Sequence, residues 1–99
     1  MKKTEIEPIS EEKKPSLTAY PNPFVTNTRI DYSLPDGGQY SLVLYNSVGV
    51  RIAVLKESKG EAGKRDTYNL NGTSLKTGVY YVKLETARSM KTIKIIRRE

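Results

Sequence analysis

Ninety-nine residues allow one domain with a modest core. The absence of cysteine and histidine removes disulfides, thiolate and imidazole metal sites and His-based triads. Seventeen Lys+Arg against eleven Asp+Glu give a net charge of +6, which favours anionic partners, but the basic residues are dispersed, as solubility and strand-edge protection require.

No apolar run approaches the ~18 residues of a membrane span. Met1-Lys2-Lys3 is followed by Thr4-Glu5-Ile6-Glu7-Pro8, which is no signal-peptide core. The chain is therefore either cytoplasmic or a piece of a longer exported protein. Residues 1–16 are charge-rich, with prolines at 8 and 15, and read as a flexible linker or tail. The domain is expected over residues 17–99.

Leu17–Tyr20 is the first short extended segment. Pro21-Asn22-Pro23-Phe24 ends it, because two prolines fix φ and remove two backbone donors. Phe24, the only phenylalanine, is expected to plug one end of the core. Thr28–Leu34 alternates, with Ile30, Tyr32 and Leu34 on one face. Pro35-Asp36-Gly37-Gly38 is a turn. Gln39–Asn46 carries Tyr40, Leu42 and Leu44 inward and Val43 and Tyr45 outward, which predicts a central strand.

Asn46-Ser47-Val48-Gly49 turns the chain into a strand over Arg51–Leu55, followed by a polar loop from Lys56 to Gly63. Gly60-Glu61-Ala62-Gly63-Lys64 lacks phosphate-loop spacing and reads as a hairpin loop. Lys64–Leu70 is the next strand, with Tyr68 and Leu70 inward. The stretch Leu75-Lys76-Thr77-Gly78-Val79-Tyr80 then launches the strand Val79–Thr86. A leucine, a glycine and a tyrosine two residues on predict a tyrosine corner, with the Tyr80 hydroxyl bonded to the backbone upstream. Ala87-Arg88-Ser89 closes a hairpin to Met90–Arg97.

Seven short strands without helical periodicity predict an all-β fold, an antiparallel Greek-key sandwich of immunoglobulin-like form. Chemistry finds no purchase on this pattern: no catalytic residue, cofactor or metal ligand set is expected. Asp31, Asp36 and Asp66 are isolated along the chain. Four of the seven tyrosines fall on inward faces, so nucleic-acid stacking is not expected either. The last strand reads in two ways. Its lysines protect a terminal edge, or they make an exposed basic strand that a partner captures.

Tyr20-Pro21-Asn22-Pro23-Phe24, then Leu44-Tyr45-Asn46-Ser47-Val48-Gly49, then Leu75-x-x-Gly78-Val79-Tyr80, then a Lys/Ile-rich end, resemble a known family in that order. The chain resembles the C-terminal sorting domain of type IX secretion cargo over residues 17–99, and it stops where such domains stop. The Ig-like module of flagellar hook-capping proteins shares the PNPF and Gly-Val-Tyr features. The resemblance implies a non-enzymatic signal at the end of a larger cargo. Such a signal folds in the periplasm, is recognised by the outer-membrane translocon and is removed by a sortase-like protease, with the cargo left at the cell surface or secreted.

Carried over by position, translocon recognition falls on Lys91, Ile93, Lys94, Ile95, Ile96, Arg97 and Arg98. Pro21, Asn22, Pro23, Phe24, Gly49, Leu75, Gly78 and Tyr80 carry the structural motifs. Cleavage falls in residues 1–16, where Ser10 and Ser16 are small. The alternative is an Ig-like adhesion or scaffold module that binds glycan or protein.

Overall fold

The computed structural model describes residues 14–99. Among them seven strands form: β1 (Ser16–Tyr20), β2 (Asn27–Ser33), β3 (Gly38–Asn46), β4 (Arg51–Gly60), β5 (Arg65–Asn71), β6 (Gly78–Thr86) and β7 (Met90–Arg97). They build a three-stranded sheet, β1-β2-β5, and a four-stranded sheet, β4-β3-β6-β7, in which every pair of neighbours is antiparallel. The expected all-β, Ig-like sandwich is what the chain adopts.

Period-2 alternation explains the core. β2 buries Thr28, Ile30 and Tyr32, and β3 buries Tyr40, Leu42 and Leu44. From β6 come Tyr80, Val82 and Leu84, and from β7 comes Ile95. These faces meet between the sheets together with Leu17, Leu34 and Leu70. Tyr68 is partly buried against them, as its place on β5 predicts. β3 lies between β4 and β6, and its outward Val43 is buried too, as a central strand requires.

Two expectations are corrected. β4 does not end at Leu55 but runs to Gly60, so the polar stretch from Lys56 is mostly strand. Its pairing with β3 shifts register between Leu42 and Val43 and again between Leu44 and Tyr45. Each shift inserts an unpaired residue and breaks the alternation on which the sequence reading depends. Residues 61–64 are not a hairpin loop either. They carry the chain from β4 in one sheet to β5 in the other.

The registers give the sandwich two poles. β3 ends, β4 starts, β6 starts and β7 ends at one pole. The loops 21–26, 47–50 and 72–77 join strands there. The connections 34–37, 61–64 and 87–89 lie at the other pole, where β1 also begins.

Candidate recognition site

The tyrosine corner is formed. The buried Tyr80 donates its hydroxyl to the Lys76 carbonyl at 2.6 Å. Gly78 enters the strand at φ +147°, and Leu75 packs against the core. The loop so fixed presents the Leu75 carbonyl to the last strand, where a guanidinium nitrogen of Arg97 donates to it at 2.9 Å.

β7 pairs with β6 along one edge and is clasped along the other. Phe24 makes an isolated parallel bridge to Arg97. Its N–H donates to the Ile96 carbonyl at 2.9 Å, and its own carbonyl accepts from the Arg98 N–H at 2.8 Å. The Asn22 carboxamide straddles the same edge, with Nδ2 donating to Lys94 O at 2.9 Å and Oδ1 accepting from the Ile96 N–H at 3.0 Å. Arg97 Nε returns a bond to Val25 O at 2.9 Å.

The prolines explain why a side chain does this work. Pro21 and Pro23 have no N–H, so Asn22 supplies a donor from its carboxamide where the backbone has none. On the other sheet the buried Thr28 donates its hydroxyl to Pro21 O at 2.7 Å. The PNPF segment is thus a strap between the sheets, and it buries Phe24 as its plug. Gly72 makes room for that plug: a Cβ there would lie 2.6 Å from Phe24 Cε2.

The residues expected to carry recognition divide by this geometry. Ile95 is fully buried, and Ile93 packs partly against the core. Ile96 and Arg97 are half-buried, and the Arg97 side chain is spent on Val25 and Leu75. Lys91, Lys94 and Arg98 stand exposed. From Lys94 to Arg98 the outer backbone edge is already bonded to Asn22 and Phe24, so strand addition there would have to displace the strap.

Of the other motif residues, Gly49 holds φ +88° in the β3–β4 turn. Sequence reasoning missed the parts played by Asn22, Thr28, Gly72 and Arg97. An asparagine between two residues that lack N–H groups was the available signal. The expected cleavage linker falls almost wholly on residues 1–13, outside the described residues.

A second polar cluster lies at the opposite pole. Tyr32 and Tyr40 share a hydroxyl–hydroxyl bond of 2.8 Å, Tyr32 also reaches Asp66 at 3.4 Å, and Lys56 pairs with Asp66 at 3.4 Å. Burial, the Tyr40 hydroxyl and the Asp66 charge push the Tyr32 phenol well above its usual range, so it stays protonated. The Thr67 N–H, bonded at 2.9 Å, and then Lys56 hold Asp66 below the usual carboxylate range. The cluster ties the two sheets together and presents no activated nucleophile. Among the described residues no group of His, Cys, Asp and Glu could hold a metal ion, and no helix is long and apolar enough to cross a membrane.

No curated protein matches the chain. The family model described as secretion system C-terminal sorting domain matches residues 18–98, from within β1 to just past β7. That span takes in the strap, the tyrosine corner and the clasped strand together, and the chain belongs to this family of type IX secretion sorting signals.

Proposed function

We propose that the outer-membrane translocon reads the exposed side chains of Lys91 and Lys94 on β7, and of Arg98 just past it, as a folded surface. The family assigns the chain a sorting role in type IX secretion and export to the cell surface or out of the cell, for a cargo fused before it. The clasp supports the finer reading: it holds the end of β7 by side-chain and backbone bonds from Asn22 and Phe24 and leaves the three cations exposed. Cations on a backbone held in this way favour an acidic partner, and docking orders less backbone than it would on a loose tail. A sortase-like protease then cuts in the segment that precedes β1. Transit is through the periplasm. The domain acts as an address and not as an enzyme.

A periplasm-targeted fluorescent reporter fused to residues 17–99 tests the reading in hosts with and without the type IX translocon. The expected result is translocon-dependent fluorescence at the surface or in the medium, lost on replacing Lys91, Lys94 and Arg98 together by Gln in a domain that still folds. Undiminished export of that triple variant would remove β7 as the recognised element. Retention of the unaltered fusion in both hosts would remove the sorting role for this chain.

A further inference from the structure

The pole at which β7 ends carries exposed apolar residues together with exposed cations. Val48 is 79% exposed and Val50 56% exposed in the β3–β4 turn, where polar residues are the rule. The turn is pinned, so their display is fixed. Asn46 Oδ1 accepts from the Val48 N–H at 3.0 Å and the Val50 N–H at 2.9 Å, and the Asn46 N–H donates to Val50 O at 2.9 Å. Tyr20 and Val25 are exposed at the same pole, on the strap side.

The exposed cations Arg51, Lys76 and Arg98 stand at the same pole. The acidic side chains of the described residues lie elsewhere, at Asp31, Asp36, Glu57, Glu61, Asp66 and Glu85, with one exception, the exposed Glu99 that follows Arg98. β1 begins at the opposite pole, so the chain enters the domain away from this surface.

We propose that this pole docks on a lipid bilayer with anionic headgroups, the valines entering the interface and the three cations meeting the headgroup charge. One feature favours a bilayer over a protein partner. The apolar points sit on separate loops across one end of the sandwich, a layout suited to a flat fluid surface. The proposal does not depend on translocon recognition and is tested on the purified chain.

The sequence contains no tryptophan, so Val48→Trp gives a single reporter. With vesicles of equal phosphatidylglycerol and phosphatidylcholine its emission should shift to the blue, with no shift on phosphatidylcholine alone. Ala87→Trp, at the opposite pole, should stay silent with both. In vesicle sedimentation Val48→Ser/Val50→Ser should weaken binding about tenfold or more. Arg51→Gln and Lys76→Gln should each weaken it about fivefold, and high salt should release the chain. Unshifted emission from the Val48→Trp variant on the anionic vesicles overturns the proposal. So does binding indifferent to the valines, which is charge attraction alone. An equal blue shift of that variant with polyglutamate would replace the bilayer with an acidic protein surface.

Discussion

One carboxamide of Asn22 closes two backbone groups of β7 that lie two residues apart, the Lys94 carbonyl at 2.9 Å and the Ile96 N–H at 3.0 Å. The prolines on either side hold the asparagine in place for this. Asn22→Ala leaves both groups to water and should cost about 1–2 kcal/mol, the worth of two exposed hydrogen bonds. For a domain of this size that lowers Tm by about 4–8 °C per kcal/mol. Asn22→Asp keeps the acceptor but turns a carboxylate oxygen on the Lys94 carbonyl, so it should cost at least as much. Thermal denaturation and hydrogen exchange at the Ile96 amide read both effects.

Tyr80→Phe removes the bond to Lys76 O and nothing else from the corner. The expected loss is about 1 kcal/mol, with the denaturant slope unchanged because the same surface is buried. Export of a fused reporter should persist, since the ring still fills its place beneath the arch.

Gly72→Ala should disturb a residue distant in sequence. Its Cβ would meet the Phe24 ring at 2.6 Å, and Arg97 Cδ at 3.3 Å blocks the neighbouring space. Phe24 must shift, at a cost of about 1–3 kcal/mol typical of an overpacked core. Slackening of the strap should appear as faster exchange at the Arg98 amide, which bonds Phe24 O.

Asp66 gives the acid limb a definite sign. Its folded pKa is lowered, first by the Thr67 N–H and then by Lys56. Its stabilisation is therefore fully present above the ordinary carboxylate pKa and is lost as pH falls through the lower folded value. Asp66→Asn should flatten the decline in stability below about pH 4, the ordinary Asp range. Urea midpoints measured across the acid range would show it, and an unchanged slope would remove Asp66 as a contributor.

Deleting Lys94–Glu99 takes Ile95 out of the core and strips Phe24 of both its backbone partners. The truncated chain should lose its cooperative thermal transition, and its export with it. Truncation therefore cannot separate recognition from folding. The Lys91, Lys94 and Arg98 triple Gln variant can, because these side chains are exposed and should leave Tm within a few degrees.

Much of this fold was legible because the strands obey one rule. Ile30 and Tyr32, Leu42 and Leu44, and Val82 and Leu84 alternate with polar or outward residues and are buried as alternation requires. The Tyr80 corner was legible for another reason: its partner lies four residues away in sequence. β4 was misjudged beyond Leu55 because two register shifts break the period, and Lys56–Lys59 looks like solvent-exposed loop. The clasp stayed hidden because its halves are 72 and 74 residues apart, and the sequence marks no partner for an asparagine at that distance. On β7, which charged residues stand outward could be guessed, but the commitment of Arg97 to two carbonyls depends on where the strap and the corner loop meet.

The distance spanned by the clasp also bears on how the domain comes into being. A joint between Asn22 and Ile96 cannot close until the whole sequence between them has emerged. Such non-local closure slows folding, because chain entropy is lost before the contact is gained. A ribosome that stalls before Arg97 leaves Phe24 without its bridge partner and the core without its lid. The finished sandwich therefore certifies synthesis through β7, since a product interrupted before it has neither the clasp nor the closed core.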